Sequence, residues 1–270
     1  MKKTIIFAAA ICGIILLAAV FTCMRLSKGV KQEPPSRSPY SPLVTQAQEL
    51  EAQGNFIQAK EIYQKLMSEF TNSPEMSSWQ KNNEDLNIKL LFSPAVTLNS
   101  RIYEIKPGDS LEKIAREFKT TVELIMKSNS LPDNKIMPGK KIKVWTAPFN
   151  IVVDKSQNIL YLKVKEDIFK TYIVATGANN STPVGTFTIV NKIANPPWFK
   201  AGKVIPPGSP ENILGTRWLG IDKKSYGIHG TTAPESIGTQ ATQGCVRMLN
   251  SEVEELFTIV PVGTEVTIVD

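Results

Sequence analysis

The chain has 270 residues, of which 42% are hydrophobic and 21% charged, and a formal net charge of +6 at pH 7. This length allows one or two domains with cores of useful size, and the composition excludes collagen-like and disordered classes. Residues 149–270 hold eleven Lys or Arg and eleven Asp or Glu, so the positive charge lies upstream. A neutral second half without a basic stripe argues against nucleic acid as the partner.

The amino-terminal segment carries an uncharged, mostly apolar run from Thr4 to Met24, preceded by Lys2 and Lys3. About twenty apolar residues in a helix that rises about 1.5 Å per residue are long enough to cross a hydrocarbon core of about 30 Å. The run ends without the small-x-small pattern at which signal peptides are cleaved. We therefore predict that residues 1–28 form a signal anchor, a transmembrane helix, with a cleaved signal peptide or a lipoprotein at Cys23 as alternatives.

Residues 29–42 are rich in proline and polar side chains, which is typical of a linker, and residues 43–95 show a helical pattern. Between residues 56 and 70 the apolar positions follow the i, i+3, i+4, i+7 spacing of an amphipathic helix, and helices are also predicted over 43–53 and 76–91. The first two helices resemble one tetratricopeptide-type hairpin, without a second copy of the repeat. We interpret the region as a helical spacer, with a dedicated protein-binding site as the alternative.

Residues 100–146 form a compact unit with the predicted order strand, helix, helix, strand. Asp109 or Ser110 can cap the first helix of this unit. The sequence PGD near its start, an Asn after the second helix and PGK before the last strand closely resemble the LysM module. LysM modules bind glycans that contain N-acetylglucosamine, such as peptidoglycan. The resemblance implies a glycan groove between two loops that hold Gly108, Asp109, Ser110, Asn129, Leu131 and Pro132. The alternative is a βααβ fold that has lost glycan binding.

The last segment, residues 149–270, has the pattern of short alternating strands separated by Gly and Pro turns. Its one predicted helix runs from Ser251 to Ile259, with Ser251 as the cap and acidic residues in the first turn. Several short strands with one helix predict a mainly-β domain of sandwich or barrel-like form. The chain as a whole is therefore predicted to be a multidomain α+β protein.

One histidine and one cysteine stand out in this segment. His229 is the only histidine of the chain, and Cys245 is the only cysteine outside the apolar run, which holds Cys12 and Cys23. A thiolate is a strong nucleophile once a neighbouring imidazole takes its proton. An inert buried cysteine and a hydrogen-bonded histidine are nevertheless common, so the two residue types alone support a catalytic pair only weakly.

The neighbours of Cys245 add to this hypothesis. Gly244 permits a tight turn, at which backbone N–H groups can stabilise an oxyanion. Arg247 would share the strand face of Cys245 and could bind a substrate carboxylate with its guanidinium fork. A surface salt bridge is the alternative interpretation for Arg247, and also for Arg217.

The motifs IHGT, SIG and GCVRM closely resemble the signature of the YkuD-type L,D-transpeptidases, and the resemblance extends over residues 150–270. It implies that Cys245 is the nucleophile, that His229 is the general base and that the carbonyl of Gly230 orients the imidazole. Many members of that family have a second histidine before the Gly–Cys pair, where this chain has Gln243. We expect Gln243 to alter the oxyanion surroundings or the fit of the substrate without removing the base.

The resemblance also implies a reaction. Cys245 would attack the carbonyl at the L-centre of the diamino acid in a peptidoglycan tetrapeptide stem and expel the terminal D-alanine. An amine of a neighbouring stem would then convert the thioester into a 3-3 cross-link. Water as the acceptor would make the protein an L,D-carboxypeptidase, and a lipoprotein amine would make it an anchoring enzyme. A non-catalytic LysM scaffold that binds the cell wall is the alternative of another class.

The remaining expectations concern partners and the substrate groove. Trp198 and Trp218 are candidates for that groove, with packing in the scaffold as their alternative. No cofactor or metal is expected, because the sequence has no ligand cluster or phosphate loop. The expected partners are peptidoglycan and, through the amino-terminal helix, a membrane. We expect the protein to be anchored in the inner membrane with its carboxy-terminal domains on the periplasmic side, and to be acylated by carbapenems.

Overall fold

The computed structural model describes residues 38–200 and 202–270. The predicted transmembrane helix at residues 1–28 and most of the predicted linker at residues 29–42 lie outside the described residues. Among the described residues, no helix has the length and apolar character needed to cross a membrane. Residues 43–270 form one compact unit.

Three helices open the described chain, in agreement with the predicted helical region. They are α1 (Ser41–Ala52), α2 (Phe56–Glu69) and α3 (Met76–Leu91). Gly54 turns the chain between α1 and α2 with a φ of 77°, a left-handed conformation that glycine adopts without strain. The predicted apolar stripe of α2 is buried through Ala59, Tyr63 and Leu66.

The predicted βααβ unit follows. It consists of β1 (Ser100–Glu104), α4 (Leu111–Glu117), α5 (Val122–Ser128) and β2 (Lys141–Trp145), and β1 pairs with β2 in antiparallel fashion. Ser110 caps α4, because its Oγ accepts a hydrogen bond from Lys113 N at 3.2 Å. Thr121 caps α5 in the same way through Leu124 N at 2.9 Å. The helix α4 therefore begins where its predicted cap places it.

The rest of the chain is built on one large sheet. The helices and strands of residues 149–270 are β3 (Phe149–Asp154), β4 (Ile159–Val164), β5 (Asp167–Ile173), β6 (Thr176–Gly177), β7 (Gly185–Ala194), β8 (Trp198–Lys200), β9 (Lys203–Ile205), β10 (Arg217–Ile221), β11 (Gly227–His229), β12 (Gln240–Thr242), β13 (Val246–Arg247), α6 (Asn250–Ile259) and β14 (Glu265–Val269). Eight of the strands form a sheet in the order β13-β11-β10-β7-β14-β3-β4-β5, and β12–β6 and β8–β9 form separate pairs.

This topology confirms a mainly-β segment and corrects its predicted form. A single mixed sheet replaces the predicted sandwich or barrel, because the last strand, β14, inserts between β7 and β3 and pairs in parallel with β3. A second parallel pair joins β11 to β13. Alternation within one strand does not specify its neighbours in a sheet, and parallel pairs require crossover connections that a local pattern does not reveal.

The one predicted helix of this segment is α6, which begins at Asn250, one residue before the predicted start. The predicted cap Ser251 was wrong, because Leu249 occupies the N-cap position and no side chain caps the helix. Val253, Leu256 and Ile259 of α6 are buried in the same apolar cluster as the core face of the sheet. The helix therefore holds the sheet through an apolar face, as its spacing predicts.

The predicted helical region is joined to the large sheet, because α3 packs directly against the edge strand β5. The carboxylate of Glu84 accepts hydrogen bonds from the backbone N and the hydroxyl of Thr171, both at 2.9 Å. Asn87 Nδ2 donates to Phe169 O at 2.9 Å. A helix that occupies the polar groups of an edge strand protects it from pairing with other chains.

Candidate active site

The two strands β11 and β13 bring together the residues that the sequence singled out. They run parallel, with Ile228 beside Val246 and His229 beside Arg247. Ile228 and Val246 belong to the buried apolar core. Because side chains alternate along a strand, His229 and Arg247 lie on the opposite face, and Cys245, directly before β13, falls on that face as well. The predicted sharing of one face by Cys245 and Arg247 therefore follows from the register.

The imidazole of His229 is fixed in one orientation. Its Nδ1 lies 2.7 Å from the carbonyl oxygen of Gly230. A carbonyl oxygen can only accept, so the proton must sit on Nδ1, and Nε2 is left as the unprotonated nitrogen. The ring is 2% exposed. It is stacked on the indole of Trp218, with the ring centroids 6.0 Å apart and the planes inclined by 19°.

Burial keeps this imidazole neutral. It lowers the pKa of His229 from 6.5 to about 4; the Gly230 carbonyl opposes the shift, and the positive charge of Arg247 adds to it. At neutral pH the ring therefore carries no charge, and Nε2 is free to accept a proton. The predicted role of Gly230 as the group that orients the base agrees with this geometry.

The thiol of Cys245 is held by backbone groups of the turn between β10 and β11. Sγ donates a hydrogen bond to Ser225 O at 3.6 Å. Burial raises the pKa of the thiol, while a hydrogen bond from the Gly227 backbone and the charge of Arg247 lower it in part. At neutral pH the thiol is therefore uncharged, like the imidazole of His229 on the same strand face.

A tight turn at Gly244 places Cys245. Gly244 adopts a φ of 122°, a conformation that side chains other than glycine rarely allow. Its backbone N donates to the hydroxyl of Thr242 at 3.1 Å, and that hydroxyl donates to Cys245 O at 2.6 Å. The N–H of Gly244 therefore already has a hydrogen-bond acceptor. A predicted oxyanion contact at this turn has to come from another backbone N–H.

The tight fit at Gly244 yields a test. A Cβ at this position would lie 2.7 Å from Cε1 of Tyr226 and 3.2 Å from Ser181 O. We expect Gly244→Ala to move the turn and lower kcat/KM for acyl transfer by about 100-fold, the effect of misplacing a reacting group by about 1 Å. Gly263→Ala is the matched control, because Gly263 also has a positive φ but no atom within 4 Å of the added Cβ. Equal kcat/KM values for the two variants would contradict this role.

Arg247 is a buried cation without a carboxylate partner. It is 9% exposed, its NH1 donates to Ser236 Oγ at 2.9 Å, and its Nε has no hydrogen-bond acceptor. None of the ion pairs among the described residues includes it. Buried guanidinium groups are normally paired, so this geometry favours binding of an anion over the alternative of a surface salt bridge.

Of the other residues predicted for the substrate groove, Trp218 contacts His229 and Trp198 does not lie on the same sheet. Trp218 reaches the site through its stack on His229, and its Nε1 donates to Asn191 Oδ1 at 3.1 Å. Trp198 lies on the β8–β9 ribbon, where Lys200 covers its ring. Gln243 is exposed beside the Gly244 turn. For Arg217 the salt-bridge interpretation is supported, since its guanidinium lies 3.9 Å from Glu254.

The residues predicted for the glycan groove serve first to build the βααβ unit. Asn129 Nδ2 donates to Ile125 O and Lys143 O, both at 2.8 Å, and Asn129 Oδ1 accepts from Lys143 N at 2.7 Å. The amide of Asn129 is therefore structural. Asp109 accepts from Tyr103 OH and Lys106 N, both at 2.8 Å. Of the other residues predicted for this groove, Gly108 and Pro132 are exposed, whereas Leu131 and the helix cap Ser110 are half-buried.

Backbone groups complete the site and were not predicted from the sequence. The carbonyl of Ser225 accepts a hydrogen bond from the thiol, and the N–H of Gly227 donates one to it. Neither residue type indicates such a role in the sequence. Among the described residues, no group of three His, Cys, Asp or Glu side chains is placed to hold a metal ion.

Comparison with known families agrees with this geometry. Residues 148–268 match the family model of the YkuD L,D-transpeptidase catalytic domain, and residues 103–145 match that of the LysM domain. YkuD of Bacillus licheniformis, a protein named as an L,D-transpeptidase, is 38% identical over 175 residues, which cover 62% of this chain and 98% of that protein.

Two further relatives are also named as L,D-transpeptidases. YqjB of Bacillus subtilis is 44% identical over 126 residues, which cover 44% of this chain and 70% of that protein. The solved catalytic domain of the Enterococcus faecium L,D-transpeptidase is 23% identical, with a TM-score of 0.39, and the match covers 46% of this chain and 98% of that domain.

Proposed function

The chain belongs to the YkuD-type L,D-transpeptidase family, and we propose that it forms 3-3 cross-links in peptidoglycan through an acyl-enzyme on Cys245. The observation that carries the proposal is the Nδ1–H···O bond from His229 to Gly230, because it leaves Nε2 free as a base on the face of Cys245. An L,D-transpeptidase is an acyltransferase that uses a cysteine nucleophile. The hydrolytic, lipoprotein-anchoring and non-catalytic alternatives are not favoured.

In the first step the thiol turns from the Ser225 carbonyl to His229 Nε2 as the stem peptide binds. Nε2 takes the proton while Sγ attacks the carbonyl carbon at the L-centre of the diamino acid, and a C–S bond forms. The tetrahedral intermediate then collapses, the C–N bond to D-alanine breaks, and the imidazolium returns its proton to the leaving amine. The products are a thioester on Cys245 and free D-alanine.

In the second step an amine of a neighbouring stem attacks the thioester. Nε2 of His229 removes a proton from this amine, the new C–N bond forms, and the thiol leaves with the proton that the imidazolium returns. Neutral His229 therefore serves both half-reactions and is unchanged at the end of the cycle.

The oxyanion of each intermediate needs a donor close to Sγ. The N–H of Gly244 is given to the Thr242 hydroxyl, so we assign this function to the N–H of Cys245 itself. One well-placed backbone donor of this kind stabilises a developing oxyanion by about 3 to 4 kcal/mol. Gln243, two residues before Cys245, is exposed at the rim of the same turn, and we assign to it a contact with the stem.

Arg247 is assigned to a carboxylate of the stem peptide. We expect Arg247→Gln to raise the KM for the stem by about 10- to 100-fold, because a charge-assisted bidentate contact contributes about 1.5 to 3 kcal/mol. Arg247→Lys should recover only part of this loss, since an ammonium lacks the guanidinium fork. Arg217→Gln serves as the control, because Arg217 faces Glu254. Steady-state kinetics that show the same KM for both Gln variants would refute the assignment.

The upstream parts of the chain support a location at the cell wall. We propose that the LysM unit binds glycan strands through the loops at Gly108 and Pro132, and that residues 1–28 anchor the protein in the inner membrane with the catalytic domain on the periplasmic side. The helical pair α1–α2 would act as a tetratricopeptide-like hairpin in this arrangement. Tethering to a polymer raises the effective concentration of stem peptides, so a weak glycan contact is sufficient.

The proposal is tested by identifying the acyl acceptor, which distinguishes transfer to an amine from hydrolysis. Purified protein is incubated with a disaccharide tetrapeptide whose third residue is a diamino acid, and the products are separated by mass. We expect a dimer whose mass is that of two stems less one D-alanine. A tripeptide without any dimer would replace transfer by hydrolysis, and unchanged tetrapeptide would overturn the proposal. Vesicle flotation of the full chain and of a form that lacks residues 1–28 separately tests the anchor: equal flotation would rule it out.

A further inference from the structure

Asn250, the first residue of α6, connects two backbone segments behind the active site. Its Oδ1 accepts hydrogen bonds from Thr231 N at 2.9 Å and from Thr216 N at 3.2 Å. Its Nδ2 donates to Thr231 O at 2.8 Å. One amide therefore joins the residues that follow β11 to the residue that precedes β10, and both its oxygen and its nitrogen are used.

The position of these bonds matters because Thr231 N–H belongs to the same peptide group as Gly230 C=O. A peptide group is planar, and its N–H and C=O point in opposite directions. A hydrogen bond that fixes the N–H of Thr231 therefore fixes the direction of the Gly230 carbonyl. That carbonyl accepts the Nδ1 proton of His229 at 2.7 Å.

The surrounding packing shows that this contact is tight. A Cβ added at Gly230 or at Gly215 would overlap with Oδ1 of Asn250. Gly215 also has a φ of 65°, so the backbone is shaped to let the amide approach from both sides. Two glycines therefore make room for one side chain, and that side chain reaches the peptide group on which the catalytic imidazole depends.

We propose that Asn250 is a positioning residue that acts on His229 through the Gly230–Thr231 peptide. The relay runs from Asn250 Oδ1 to Thr231 N–H, across the peptide to Gly230 C=O, and from there to His229 Nδ1–H. Hydrogen bonds in a chain polarise one another, so the first bond also strengthens the last. Asn250 thus selects the tautomer in which Nε2 is unprotonated. The inference rests on the proposed function of His229 as the base.

The single histidine of the chain allows a direct test. In protein labelled with 15N-histidine, the nitrogen shifts report which ring nitrogen carries the proton and at which pH the ring titrates. The wild type should show the Nδ1–H tautomer. Asn250→Ala should show a mixture with the Nε2–H tautomer and a kcat lower by about 10- to 100-fold at an almost unchanged KM, as for a slightly misplaced group.

Two further variants separate positioning from general loss of stability. Asn87→Ala also removes a buried amide that bonds to backbone, but it lies on α3 against β5 and should leave the tautomer unchanged. Asn250→Asp keeps an acceptor for both N–H groups and should retain the Nδ1–H tautomer, while its negative charge raises the pH at which His229 titrates.

The outcomes are distinct. Should Asn250→Ala fail to fold, the Asp variant still decides: a titration identical to that of the wild type overturns the proposal. A folded Ala variant with the wild-type tautomer and kcat overturns it as well. The NMR readout does not depend on turnover. A change of tautomer in a protein that forms no cross-links would therefore uphold Asn250 as a positioning residue and overturn only the proposed reaction.

Discussion

Replacement of Cys245 by alanine is expected to abolish acyl transfer, with D-alanine release lower by at least about 10⁴-fold. Cys245 is the only cysteine among the described residues. Its Sγ lies between the Ser225 carbonyl and the Gly227 N–H, on the strand face that His229 and Arg247 share. The measurement is the initial rate of D-alanine release from a tetrapeptide stem, with thermal melting to verify the fold.

Cys245→Ser is the matched variant, since it changes one atom and keeps the turn at Gly244. We expect it to be as inactive as the Ala variant, because a base with a pKa of about 4 is too weak to deprotonate a hydroxyl. A thiol is far more acidic, even with its pKa raised by burial. D-alanine release at the wild-type rate by either variant would contradict the assignment of the nucleophile.

Replacement of His229 by glutamine has the second large effect. The Gln amide can still donate to the Gly230 carbonyl, but it cannot take the proton of the thiol. We expect kcat to fall by about 10³- to 10⁴-fold, near the upper range of general base catalysis. Because the base must be neutral, wild-type kcat/KM should stay constant as the pH falls through 6.5 and decline only near pH 4. A decline of kcat/KM centred at pH 6.5 would show that burial does not lower the pKa of His229.

The same shift predicts how stability depends on pH. The pKa of His229 is about 4 in the folded protein and 6.5 in the unfolded chain. Between these values the unfolded chain binds the additional proton, so wild-type stability decreases as the pH falls from 6.5 to 4, by about 3 kcal/mol over the full window. His229→Gln lacks this contribution. Urea denaturation at pH 7, 5.5 and 4.5 should therefore bring the two stabilities closer, or invert their order, at low pH. If the free energies of unfolding of the wild type and of His229→Gln changed in parallel with pH, the buried neutral histidine would be contradicted.

Much of the site could be predicted because strand periodicity and motif spacing act locally. The alternation of β13 places Arg247 on the face of Cys245. The Gly230 carbonyl, which the family resemblance implies, directly follows His229 in the chain and lies within hydrogen-bond reach of its ring. Caps predicted the start of α4, and the apolar stripe predicted α2. In each case the deciding interaction lies within one or two turns or strands of chain.

The parts that could not be predicted depend on contacts between distant segments. The insertion of β14 between β7 and β3 turns an expected sandwich into one mixed sheet. The packing of α3 on β5 joins Glu84 to Thr171, which is 87 residues further along the chain. Asn250 lies 19 residues from Thr231, and nothing in its local sequence indicates that its amide reaches the peptide behind His229. Loops, turns and side-chain amides carry such links without a periodic pattern.

Mass analysis of the acyl-enzyme tests the central claim most directly. Wild-type protein is mixed with a tetrapeptide stem whose acceptor amine is blocked, quenched in acid within seconds, digested and sequenced by mass spectrometry. We predict one adduct, with the mass of the stem less D-alanine, on the peptide that contains Cys245, and none in Cys245→Ala. An adduct on another residue, or release of D-alanine without any adduct on Cys245, would contradict the account.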